Sequence, residues 1–175
     1  MNGPNEASQL AADALTLWEA GDLSAAEAKY RQALAHAPNA HWGTPLVRAQ
    51  FATVLSELNR DDEAREQWSQ TLLEERALAE GEDSAGVRST RYFFAKHLLK
   101  MGLAQDALDE VAPLHGPRCE WLVKELESEA LVVLGRLVEA RAACEAALHL
   151  ARTESQREAL VSRLAELREA TDQAG

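Results

Sequence analysis

Apolar side chains in this chain recur at three- and four-residue spacing, the period of an amphipathic helix and not the alternation of a strand. A turn residue interrupts the pattern four times, always in the same surroundings: Leu, three residues, Gly or Asn, four residues, Ala. The copies are Leu17/Gly21/Ala26, Leu55/Asn59/Ala64, Leu98/Gly102/Ala107 and Leu131/Gly135/Ala140. A small residue stands twelve places before each Ala (Ala14, Ala52, Ala95, Ser128), and Tyr30, Trp68, Val111 or Cys144 stands four places after it. The turn residues are 38, 43 and 33 positions apart, so the base period is near 34 with additions in the first two gaps. A repeat decides architecture before any single motif does.

Each unit predicts a helix, a tight turn and a second helix. Gly21 can end a helix in the left-handed conformation, and Asp22 is a good residue to begin the next. Asn59 takes the same part in the second hairpin. Pro38-Asn39 stops the second helix, an irregular stretch with His41 and Trp42 follows, and Thr44-Pro45 restarts a helix with a capping hydroxyl and a first-turn proline. A long helix over 62–80, ended by Gly81 to Ser84, accounts for the widest gap. Pro113 and Gly116-Pro117 shorten the second helix of the third hairpin. A last helix over 154–170 places Ala159, Leu160, Leu164 and Leu167 on one stripe, suited to closing an open repeat end. The expected organisation is a disordered N-terminus at 1–5 and one domain over 6–171, with repeats at about 7–40, 45–80, 84–115 and 118–152.

The frame resembles the tetratricopeptide repeat (TPR), a 34-residue helix-turn-helix. The best copy runs from Gly21 through Ala26, Tyr30 and Ala33 to Pro38. Departures are clear: Leu10, Arg48, Arg91 and Lys124 stand where the family has a first-helix Trp, and the closing proline survives only as Pro38. The resemblance covers about residues 7–152. It implies an all-α fold, a right-handed superhelical solenoid of antiparallel helix pairs, whose concave face is lined by the first helix of each repeat.

Composition narrows the function. A net charge of −11 repels phosphate backbones and anionic membranes, so neither nucleic acid nor a membrane is an expected partner. No run approaches the roughly 18 apolar residues of a membrane span. The two cysteines make no disulfide framework and fit a reducing, cytoplasmic setting. The preference for Arg over Lys and the abundant Ala suggest a bacterial origin. No metal-binding spacing, phosphate-cradling glycine loop or nucleophile motif is present, so no cofactor, metal or enzymatic activity is expected.

The residues between the frame positions therefore carry the functional reading. By the resemblance, the concave face would receive Leu15 and Trp18 from the first repeat and Ala49 and Thr53 from the second. Tyr92, Lys96 and Lys100 would come from the third, and Glu125 and Glu129 from the fourth. Arg88, Tyr92, Lys96 and Lys100 lie four apart on one side of one helix, a local basic and aromatic stripe in an acidic chain. The stripe reads either as an anchor for an acidic segment of a partner or as one half of internal pairs with Glu129 or Glu57. The Lys, Asn and Arg clamp of repeat domains that hold acidic chaperone tails would fall at Ala11, Leu15, Gln50, Ser89 and Phe93, which do not match it. The expected function is a protein-interaction adaptor or scaffold binding a peptide or helix. The alternatives are a self-associating subunit such as a homodimer, a secretion-type chaperone and a toxin-neutralising partner.

Overall fold

The computed structural model describes residues 3–37, 43–79 and 81–174, with side chains from Glu6 to Gln173. Among these residues there are nine α-helices and no strand. They are α1 (Gly3–Glu19), α2 (Leu23–His36), α3 (Thr44–Glu57), α4 (Asp61–Leu78), α5 (Ala85–Lys100), α6 (Ala104–Val111), α7 (Trp121–Val133), α8 (Leu137–Leu150) and α9 (Glu154–Ala174). A short 3-10 segment, Ala112–Leu114, follows α6. The chain forms two compact units, Met1–Thr90 and Arg91–Gly175.

The four turns are built alike. Gly21, Asn59, Gly102 and Gly135 have φ of 81°, 59°, 77° and 71°, the left-handed region that glycine enters freely and asparagine tolerates. The N–H after each turn residue donates to the carbonyl of the frame leucine: Asp22 to Leu17, Arg60 to Leu55, Leu103 to Leu98 and Arg136 to Leu131, each at 2.9 Å. The turn residue's own N–H donates three residues back, to Trp18, Ser56, Leu99 and Val132. This pair of bonds is the Schellman cap, which satisfies carbonyls left over at a helix end. The spacing of Leu and Gly in the repeat is therefore a capping requirement. The next bond starts the following helix: Ala26, Ala64, Ala107 and Ala140 donate to Asp22, Arg60, Leu103 and Arg136 at 2.9–3.0 Å.

All four of those alanines are fully buried. So are Ala14, Ala52 and Ala95, and Ser128 nearly so. Small side chains at both aligned positions let the two helices of a pair approach closely. Ser128 adds a bond across the approach, its hydroxyl donating to the Ala140 carbonyl at 2.8 Å. In the first unit, Tyr30, Phe51, Val54 and Leu55 fill the space around Ala14, Ala26 and Ala64. In the second, Leu131 and Cys144 pack among alanines of α8, and Leu160, Leu164 and Leu167 of α9 dock on them.

Several local expectations need correction. Ala159 is exposed; Leu160, Leu164 and Leu167 already satisfy the i, i+4, i+7 stripe, and Ala159 lies about 100° round the helix from Leu160. Thr44 does not cap α3. It is the first helical residue, Gly43 stands at the cap, and the buried Thr44 Oγ1 has no partner among the described residues. Asp22 does cap α2, accepting the Ala25 N–H at 3.1 Å. The helix expected over 62–80 runs from Asp61 to Leu78. Pro38, Asn39, His41 and Trp42 lie outside the described residues, as do residues 1 and 2 of the expected N-terminal tail; α1 begins at Gly3.

Candidate partner-binding surface

The first helix of each pair carries the candidate residues. None of the ten is fully buried, in contrast to the frame positions that hold the helices together. In the first unit Leu15 and Trp18 of α1 are half-buried. The Trp18 indole N–H donates to Glu57 Oε2 at 2.9 Å, tying α1 to α3. Ala49 and Thr53 of α3 are half-buried, and the Thr53 hydroxyl donates to the Ala49 carbonyl at 3.0 Å. The polar groups expected on this face are thus bonded within the unit. Arg88 is as well: its side chain is only 17% exposed, and its Nη1 lies 3.1 Å from Asp83 Oδ1.

The second unit differs. Tyr92 is half-buried and meets Phe93 edge-on at 5.2 Å, while Phe93 is 48% exposed. Burial raises the Tyr92 hydroxyl pKa, and the charges of Glu125 and Glu129 raise it further. Those carboxylates therefore lie within electrostatic range of Tyr92. Glu125 is itself half-buried. Burial, then Glu129, pushes its carboxyl above the usual range, against the opposing pull of Lys96 and Arg163. The structure thus gathers Tyr92, Lys96, Glu125 and Glu129 into one neighbourhood and adds Arg163 of α9, which the sequence did not single out. Lys96 and Lys100 are exposed.

A groove of about 540 Å³ lies between α7 and α9, with Leu99, Glu125, Glu129, Val132, Leu160 and Arg163 among its walls. Cys144 lies on its floor; the buried thiol donates to the Leu160 carbonyl at 3.6 Å, and burial pushes its pKa up. A second groove of about 520 Å³ is bounded by α6, α7 and α8. Its charges are mutually satisfied. Lys124 Nζ is 2.6 Å from Glu127, His115 Nε2 is 3.2 Å from the same carboxylate, and Arg136 chelates Glu139 at 2.5–2.7 Å. The sequence reading passed over this cluster, although Lys124/Glu127 and Arg136/Glu139 have the i, i+3 spacing of helical ion pairs.

Among the described residues no group of His, Cys, Asp and Glu could hold a metal ion, and no helix is long and apolar enough to cross a membrane. What the surface offers chemically is apolar area, two lysines, two carboxylates and an aromatic ring.

No protein-family model matches the sequence, and no curated protein matches it. Solved structures do match in fold. A kinesin light chain candidate from Podosopora anserina, built of nearly identical TPR-like repeats, superimposes with a TM-score of 0.82 at 16% identity, over 99% of this chain and 90% of that one. MamA from Desulfovibrio magneticus RS-1 gives 0.69 at 13%, over 98% of both chains. BtubC from P. vanneervenii gives 0.68 at 17%, over 94% of this chain and 80% of its own. At these identities the likeness establishes the fold: an all-α, TPR-like helical repeat of paired helices. The expectation drawn from the fourfold frame is met.

Proposed function

We propose that this chain is a non-enzymatic protein-interaction module, an adaptor or scaffold that takes a peptide or helix of a partner against the first helices of its repeats. The observation that carries the reading is a division of labour along the sequence. Apart from the exposed turn residues and the half-buried Leu17, the frame positions are buried, whereas the ten first-helix positions between them are exposed or half-buried. Side chains that the helix pairs do not need for packing are free to vary with a partner. The neighbouring structures are called TPR-like or share that architecture, which supports the same reading by analogy. A cytoplasmic setting fits the two free cysteines, one of them buried.

The face is of mixed sign. Lys96 and Lys100 offer donors to the carboxylates of an acidic segment, and Glu125 and Glu129 offer acceptors. The competing occupant is a second copy of the chain, and light scattering at several concentrations separates a constitutive dimer from a monomer. The direct test compares two double variants of the full chain as bait in native extract. Lys96→Glu with Lys100→Glu should weaken the captured partner at least several-fold. Gln105→Lys with Glu139→Lys, on the second helices, should leave it unchanged. Equal loss with both pairs, or loss that follows a lowered melting temperature, would sink the proposal.

A further inference from the structure

The two grooves of the second unit differ in their unmet chemistry. In the groove of α6, α7 and α8, every charged wall residue named above has a partner within the unit. In the groove of α7 and α9, Arg163 is engaged with Glu166 at 3.0 Å. Glu125 and Glu129, one turn apart on α7, make no hydrogen bond or ion pair with another described residue. Glu125 is also half-buried, so its carboxylate has given up part of its hydration without gaining a hydrogen bond or a contact ion pair, which is unfavourable; Lys96 and Arg163 act on it only through their charge. The floor beneath is apolar, with Leu99, Val132 and Leu160.

We infer that the α7–α9 groove receives a lysine or arginine side chain on an apolar segment of a protein partner, with Glu125 and Glu129 as its acceptors and Leu99 and Val132 under its stem. The inference deepens the interaction-module reading and rests on it. Three observations select this occupant. The unsatisfied groups are acceptors, so a donor is required. The cavity is apolar below and charged at the rim, which matches a long aliphatic stem with a cationic head. The whole chain carries −11, which favours the approach of a cationic side chain to this groove. The bulk of a helix or extended strand would lie along the α7 side, where Val133 is 58% exposed, with one cationic side chain entering the groove.

The test uses the full isotope-labelled chain and two short amphipathic peptides, one of leucine and lysine and the other with glutamate at each lysine position. The lysine peptide should bind and shift the amide signals of Glu125, Glu129, Val132, Ser162 and Arg163. Glu125→Gln with Glu129→Gln keeps the side-chain shape and should weaken that binding about tenfold, roughly the loss of one charge-assisted bond. Glu158→Gln with Glu169→Gln removes the same charge from exposed positions of α9 and should change it less than about twofold, which separates a site from overall attraction. Equal weakening by the two double variants, or equal binding of the glutamate peptide, overturns the inference. Shifts confined to α1 and α3 would overturn the groove assignment and leave the module reading standing. Shifts confined to α2, α4, α6 and α8 would overturn both.

Discussion

The two units use one backbone frame and fill it differently. At the position four residues after the frame alanine, the first unit places Tyr30 and Trp68, both buried; the second places Val111 and Cys144, also buried but much smaller. The first unit then ties its helices with polar side chains. Arg60 bonds Glu27 and Glu63, Arg31 bonds the same two carboxylates and stacks over Phe51 at 5.1 Å, and Arg48 grips Glu74 with two nitrogens at 2.8 and 3.1 Å. The second unit closes with an alanine-rich helix and the leucines of α9, and two carboxylates in its groove, Glu125 and Glu129, make no hydrogen bond or contact ion pair with another described residue. A repeat frame thus fixes turns and close approaches, and leaves the bulk and charge at the other positions free to differ between the two units.

The sharpest break in that comparison is at the large frame position. Trp68→Ala empties a site only 4% exposed and should cost about 3–5 kcal/mol. Cys144→Ala removes one sulfur from a smaller site and should cost about 1 kcal/mol. Urea unfolding of both variants checks the ratio. Similar costs would mean that the second unit depends on Cys144 as heavily as the first does on Trp68, and the contrast in filling would have no energetic meaning.

The close approach should behave the same way in both units. Ala64→Leu and Ala140→Leu each force three more heavy atoms into a contact where the native side chain is fully buried, and each should cost about 1–3 kcal/mol. Thermal unfolding measures both. If Ala64→Leu melted with the native chain, the paired-helix contact would be far looser than the buried alanines indicate.

Turn positions were legible because they rest on local rules: a left-handed residue, a capping bond, and a small residue at a fixed distance. The faces of α1, α3, α5 and α7 were legible from the same register. What was not legible was how charges on different helices meet. Arg88 shared a stripe with Tyr92 and Lys96, yet Asp83 five residues earlier claims it. Arg163 reaches the Glu125 neighbourhood only because α9 packs on α8, a tertiary fact. Glu74 and Glu75 are neighbours with different roles: Glu74 accepts from Arg48, while Glu75 lies against the start of α5. A signal was available: Glu75 lies four after Thr71 and seven after Trp68, both buried, so the helical period already pointed it at the core side.

Glu75 gives the smallest effect and the most diagnostic sign. Its carboxylate lies against the first turn of α5, so close that a Cβ at Gly86 would fall 2.1 Å from Oε2. Burial, then the neighbouring Glu74, holds its carboxyl above the ordinary value of 4.5. The native state then binds the proton more tightly than the unfolded chain. Stability contributed by this group is present below the unfolded pKa and is lost as pH rises through the folded one. Glu27 of the same unit runs the other way: burial raises its pKa, but hydrogen bonds from Arg60 and Arg31 outweigh burial and hold it low. Its contribution is present near neutral pH and lost in acid. Glu75→Gln should therefore raise the melting temperature at pH 7 by an amount worth less than about 1 kcal/mol, since the side chain is partly solvated. The gain should vanish below pH 4.5, where the native carboxyl is already protonated, while the acid limb set by Glu27 stays. A fall in melting temperature at pH 7 would show that the Glu75 carboxylate accepts a bond from the start of α5, and that Gly86 is placed there to admit it.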